Sequence, residues 1–234
     1  MNVPKTAGTP IWARSTPRRR PTLTREEIVA AALEIANADG LDAVSMRRVA
    51  SRLGVGAMAL YTHVDSKDDL LDLMTDALAE EVLLDDAEFT ADWRESITKV
   101  ARRERAMMKQ HPWVSELVGR RSMIGPKALL HIEQSLRALD GLDVPAAKAV
   151  QIINAVDQYT IGYVLRETPT APLQAFAHDS PTGTYLREAA ASAGHERLAR
   201  LLRDHPADLP GHEESFDQGL RWLLEGIARE ITGA

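Results

Sequence analysis

The sequence predicts an all-α protein, with a small helix-turn-helix head of three helices near the N-terminus and a larger helical body behind it. Three observations carry that expectation. From Thr24 onward apolar residues recur at helical spacing, and Ile28, Ala31, Ala32, Ile35 and Ala36 form the first such face. No segment sustains the period-two alternation of a half-buried strand. Ser, Thr and Gly stand where helices need starts and stops.

Residues 1–23 are rich in Pro, Thr and Arg, lack periodicity and read as a disordered basic arm. The first helix opens at Thr24, whose capping box is completed by Glu27, with Leu23 and Ile28 in the staple positions. It runs to about Asp39, and Gly40 supplies the stop. A second helix starts at Ser45, with Val44 and Val49 as its staple, and ends at Leu53 before Gly54. A short third helix spans Gly56 to about His63, and a fourth opens at Ser66 and continues to about Leu84. The body proper begins near Ala91, with helices expected over 92–109, 112–120, 126–139, 145–167, 183–203 (broken near Gly194) and 213–231. Prolines and glycines punctuate them. The resulting division is an arm over 1–23, a head over 24–70, and a body over 71–234.

Composition bounds the function. The 234 residues are 44% hydrophobic and 26% charged, ordinary for a soluble globular protein. There is no cysteine, which excludes disulfides, thiolate metal sites and cysteine nucleophiles. No apolar run approaches the roughly 20 residues of a membrane helix, and no apolar signal core opens the chain, so a cytoplasmic location is expected. The formal charge of −6 argues against nucleic acid until it is divided. Residues 1–64 carry nine Lys and Arg against five acids, a balance of +4 that leaves −10 on the remainder. A basic head on an acidic body suits a DNA-binding module.

The informative segment is Met46 to Val64. Two helices can cross closely enough to push one into a major groove only if the crossing residue is small and the turn tolerates positive φ. Ala50 and Gly54 meet those needs, and Val49, Leu53, Val55 and Leu60 are spaced to hold the pair together. The run Val49-Ala50-Ser51-Arg52-Leu53-Gly54-Val55, followed by Ala59-Leu60-Tyr61-Thr62-His63-Val64-Asp65-Ser66-Lys67-Asp68-Asp69-Leu70-Leu71, resembles the tetracycline-repressor (TetR) family of bacterial regulators. The likeness is strong over about 24–80. It is weaker in the body, where His111-Pro112-Trp113 and Gly125-Pro126 resemble the ligand-binding domain of the same family.

The resemblance implies roles position by position. Arg47 matches a base-reading position, where an arginine can bond guanine bidentately. Ala57, Met58 and Ala59 match the base-facing start of the recognition helix. All three are apolar here and are limited to thymine methyls, so readout leans on Arg47 and DNA shape. Tyr61, Thr62, His63 and Lys67 match phosphate-contacting positions, and Ser45 caps a helix whose amides can also meet a phosphate. Arg18, Arg19 and Arg20 read either as a minor-groove arm or as a solvated tail.

In the body, helix 145–167 is apolar nearly all round and helix 213–231 has one apolar face. A homodimer bundle is expected through Val150, Ile153, Asp157, Ile161, Leu220, Leu223, Leu224 and Ile227, with an ordinary intrachain core as the alternative. Polar residues scattered among apolar ones, His131, Gln134, Asn154 and Gln158 with Trp93, Met107, Trp113 and Met123, are candidates for an effector pocket. Satisfied core groups are the alternative for each.

The expected function is therefore a sequence-specific transcriptional regulator, a repressor that a small molecule releases from a palindromic operator. A ligand-independent or activating DNA-binding protein is the runner-up. A small helical enzyme is the remote third reading, because the sequence holds no phosphate loop, no nucleophile elbow and no metal spacing among its seven histidines. No cofactor is expected.

Overall fold

A computed structural model describes residues 23–118, 124–167, 181–203 and 212–232. Ten α-helices make up the described chain: α1 (Arg25–Asp39), α2 (Met46–Arg52), α3 (Ala57–Leu60), α4 (Lys67–Ala79), α5 (Trp93–Gln110), α6 (Pro126–Arg137), α7 (Ala146–Glu167), α8 (Pro181–Ser192), α9 (Glu196–Arg203) and α10 (His212–Thr232). No strand occurs among the described residues. Two compact units divide the chain between Thr160 and Ile161.

In the first unit the helix starts follow local chemistry. Thr24 accepts from Glu27 N at 3.1 Å while Glu27 Oε2 accepts from Thr24 N at 2.8 Å, closing the box that the sequence predicts. Ser45 and Ser66 cap α2 and α4, accepting from Arg48 N at 3.2 Å and Asp69 N at 3.0 Å. The turn after α2 is a Schellman motif. Gly54 sits at φ 68°, Gly54 N donates to Ser51 O at 3.2 Å, and Val55 N donates to Ala50 O at 3.0 Å. Ile28, Ala32, Ile35, Val44, Val49 and Leu60 are buried where α1, α2 and α3 pack.

Three elements differ from the sequence expectation. Helix α3 has only four residues and gives way to turns at Tyr61, Thr62 and His63. Helix α4 ends at Ala79, where a 3-10 turn over Glu80–Val82 replaces the last expected turn. The helix expected over 112–120 is a 3-10 turn, Pro112–Glu116. Its cause is local: the residue before a proline is pushed out of the helical region, and His111 takes φ −125° and ψ 68°.

Helix α6 starts at Gly125-Pro126, and its first amides are satisfied from α4. Asp76 Oδ1 accepts from Lys127 N and Ala128 N, both at 3.0 Å. The Asp76 carboxylate, buried and 51 residues away in sequence, thus serves as the cap that Gly125 lacks.

In the second unit, Tyr163 packs its ring edge-on against Phe216 at 5.2 Å and donates its hydroxyl to His212 O at 2.8 Å. Helices α8 and α9 fold back on each other at Gly194, with φ 71°, and bury Ala190, Ala199 and Leu202.

Candidate DNA-reading face and effector site

The head sorts its cations by partner. Arg48 pairs with Asp39, and Arg52 Nη2 lies 2.6 Å from Glu34 Oε2, so both fasten α2 to α1. Arg25 Nε donates to His63 O at 3.0 Å, tying the start of α1 to the turn after α3. Arg47 and Lys67 are exposed and, among the described residues, have neither an ion pair nor a hydrogen bond. The first turn of α2 therefore presents positive charge to solvent with no acid beside it, as a phosphate-binding surface requires, whereas Lys67 shares the first turn of α4 with Asp68 and Asp69.

Around those two cations lie the other residues singled out from the sequence. Met58 is 77% exposed and Tyr61 43% exposed. An exposed methionine on a one-turn helix has no packing role. Ala57 and Ala59 are half-buried, Thr62 is exposed and donates to Ala59 O at 2.6 Å, and His63 is half-buried. Ser45 is exposed, and its hydroxyl keeps its own proton for an outside acceptor while it caps α2. Arg18, Arg19 and Arg20 lie outside the described residues.

The body residues fare differently. Trp93, Met107 and Trp113 are buried. Trp113 has a structural partner, donating Nε1–H to Asn37 Oδ1 on α1 at 2.7 Å. Gln134 is likewise occupied, since its Oε1 accepts from Leu84 N at 2.8 Å and its Nε2 donates to Leu84 O at 2.9 Å. That amide completes the backbone of the segment after α4, which corrects its expected place in a pocket. Asn154 and Gln158 are exposed on α7, on the same stripe as Val150, rather than inside. Met123 lies outside the described residues. His131 keeps its place in the interior, where burial lowers the pKa of its imidazole.

Of the residues expected at a dimer face, Val150 is half exposed, while Ile153, Asp157, Ile161, Leu223 and Ile227 are partly buried. Leu220 and Leu224 are buried in the single chain and belong to its core, which corrects their assignment. The period of α10 turns them inward with Phe216 and leaves Trp222, 67% exposed, outside.

Sequence reasoning missed four polar groups that the fold engages or buries: Asp76, Asn37, Glu81 and Glu104. Asn37 Oδ1 lies 2.8 Å from His111 Nδ1, and His111 Nε2 lies 3.1 Å from Glu81 Oε1. The buried imidazole therefore joins α1, the turn after α4 and the end of α5. The sequence signal available was His111-Pro112-Trp113, read there only as part of a resemblance. Among the described residues no group of three His, Asp or Glu is placed to hold a metal, and no helix is long and apolar enough to cross a membrane.

Comparison with known proteins decides what this arrangement belongs to. Residues 28–74 match the family model for bacterial regulatory proteins of the tetR family, and residues 87–231 match that for the tetracyclin repressor-like C-terminal domain. The chain belongs to the TetR family. It is a DNA-binding transcriptional regulator. An HTH-type transcriptional regulator of Saccharopolyspora erythraea is 35% identical over 223 residues, covering 93% of this chain and 91% of that one. The class A tetracycline repressor from transposon 1721 in Escherichia coli is 30% identical, covering 86% of this chain and 89% of its own. Among solved structures, apo ActR from Streptomyces coelicolor superimposes with a TM-score of 0.77 at 26% identity, covering 92% of this TetR-family chain and 99% of its own. ActR in complex with actinorhodin superimposes with a TM-score of 0.76 at 27% identity, covering 89% and 97%.

Proposed function

We propose that the protein is a repressor, held on a palindromic operator by paired reading heads and released when an effector enters the body. The observation that carries the operator side is the pair Arg47 and Lys67, cations left without partners while their neighbours Arg48 and Arg52 fasten the head together. Arg47 reads a base edge and Lys67 a phosphate. Met58 and Ala57 touch apolar base edges, with Tyr61, Thr62, His63 and Ser45 on the backbone. ActR bound to actinorhodin, in the same fold, supports a body that encloses an organic effector.

Coupling between body and head runs through Asp76. A shift of α6 on effector binding has to carry α4 with it, because the first amides of α6 are bonded to an α4 side chain. Helix α4 opens at Lys67, so its displacement moves the reading head.

The dimer face we assign to the outward side of α10, around Trp222, Leu223, Gly226 and Ile227. Gly226 supports this reading. A glycine inside a helix costs about 1 kcal/mol relative to alanine, and among the described residues no atom lies within 4 Å of the Cβ it lacks. The close approach it permits is to another chain. The protein so described binds rather than catalyses, and acts in the cytoplasm where its operator lies. Selection of random duplex DNA on the purified dimer tests the reading. A palindrome with half-sites about one helical turn apart is expected, and recovery of no preferred sequence would sink it.

A further inference from the structure

Glu104 on α5 and Asp157 on α7 are two carboxylic acids inside the unit that ends at Thr160, near enough for Glu104 to feel the charge of Asp157. Glu104 Oε2 is fully buried and has no hydrogen-bond partner. On α6, His131 Nδ1 is also buried and unpartnered, and among the described residues these two are the side-chain atoms left in that condition. A buried polar atom without a partner costs about 1–3 kcal/mol, and more if charged. Arg105, the next residue on α5, is buried too, but its guanidinium does not bond Glu104 Oε2. Burial, with the charge of Asp157 added, holds the Glu104 carboxyl well above the usual carboxylate range, and burial pushes Asp157 up to about 6. His131 does not supply the missing positive charge, since burial lowers its pKa. Among the described residues no third ligand stands by for a metal ion.

We propose that Glu104 and Asp157 are the recognition point for a positively charged group on the effector, a protonated amine carried on an apolar body. The assignment rests on reading the body as an effector-binding domain. An anion is repelled by this pair, and a neutral apolar molecule leaves both acids unsatisfied. A cation answers both at once. The apolar remainder of the ligand follows from the helices themselves, whose buried residues include Val100, Ala101 and Met108 on α5 and Ile152 and Val156 on α7. Binding exchanges one charge for another. Glu104 holds its proton in the empty protein, and the arriving ammonium favours the carboxylate, so that proton passes to the buffer.

The test uses the full-length dimer and two matched probes near pH 7: 9-aminoacridine, which is protonated, and acridine, which is mostly uncharged. Calorimetric titration in phosphate and in Tris, buffers of different ionisation heat, reads both affinity and proton release. The expected result is that 9-aminoacridine binds at least about tenfold more tightly than acridine, a difference of ~1.4 kcal/mol, and releases protons. Glu104→Gln should abolish the release, and both Glu104→Gln and Asp157→Asn should erase the preference. Both variants relieve an unsatisfied acid and should melt no lower than the parent, with helical circular dichroism as the check. Equal binding of the two probes, no binding of 9-aminoacridine, or a preference that survives both variants overturns the proposal. An uncharged molecule that dissociates the operator complex equally well in the parent and in Glu104→Gln overturns it too, while leaving the repressor reading intact. That reading fails separately, if no bound molecule changes operator affinity.

Discussion

Arg47 and Lys67 look alike as exposed cations, and their roles separate in what they do to DNA. Arg47→Ala should lower specific operator affinity by about 1–3 kcal/mol and relax the preference at one base position. Lys67→Ala should weaken all sequences alike and reduce the salt slope by about one. Affinity selection and binding isotherms at several salt concentrations read both, and unchanged sequence preference in Arg47→Ala would reject its base-reading role. Asp157 offers a prediction of another kind. Its carboxyl, raised to about 6 from an ordinary 3.8, keeps a proton in the folded chain that the unfolded chain releases. The folded state therefore binds more protons between those values, and this group's contribution to stability falls as pH rises from about 4 to about 6. Thermal melts of the parent and Asp157→Asn should show the variant gaining on the parent over that interval and holding its gain above it. Glu104 faces the same group, so repeating the comparison in Glu104→Gln isolates the Asp157 part. A parent that gains on the variant as pH rises contradicts the assignment.

At the scale of elements, the helix joints carry both stability and signal. Asp76→Ala removes the carboxylate that caps α6 and should lower unfolding stability by about 0.5–2 kcal/mol, the range for loss of a cap. It should also shrink the effector's effect on operator affinity, since α6 no longer holds α4 by its amides. Denaturant unfolding and operator titrations with and without effector measure the two consequences. Gly54→Ala should cost about 1–2 kcal/mol, because the turn holds φ at 68°. What was legible in the sequence divides along the same line. The caps at Thr24, Ser45 and Ser66 could be read because each bond closes within three residues. Arg47 and Lys67, both exposed, could be picked out for a related reason, lying in a short run of known spacing. The cap from Asp76 closes over 51 residues and the Asn37–His111 contact over 74, and no local pattern announces either. Gln134 misled because an amide among apolar neighbours looks the same whether it awaits a ligand or already serves a backbone. Helical period also cannot say which of two apolar stripes on α10 meets the core, so Leu220 and Leu224 were placed on the wrong one.

For the whole molecule, symmetry sets the operator and charge sets how the protein reaches it. Two reading heads related by a two-fold axis require half-sites about 34–36 Å apart. The +4 balance over residues 1–64 and the −10 over the rest orient the head toward phosphate and keep the body from it. The proposed dimer face on the outer side of α10 can be tested directly. At Gly226 an added Cβ meets no described atom of the same chain within 4 Å, so if α10 is the dimer face Gly226→Leu should yield folded monomers. Sedimentation should report half the parent mass, with operator affinity falling steeply because two linked heads bind far more tightly than one. A variant that remains dimeric would move the interface elsewhere.

The four-residue length of α3 has a bearing on evolution. A helix of one turn has no stability of its own, and this one is held by the Schellman turn before it and by Leu60 beneath it. The outward side chain at Met58 adds nothing to that support. It can be exchanged without loosening the head, so a lineage built on this frame can acquire a new genomic address by a single substitution. Stability then places no toll on divergence at the position where regulatory networks rewire.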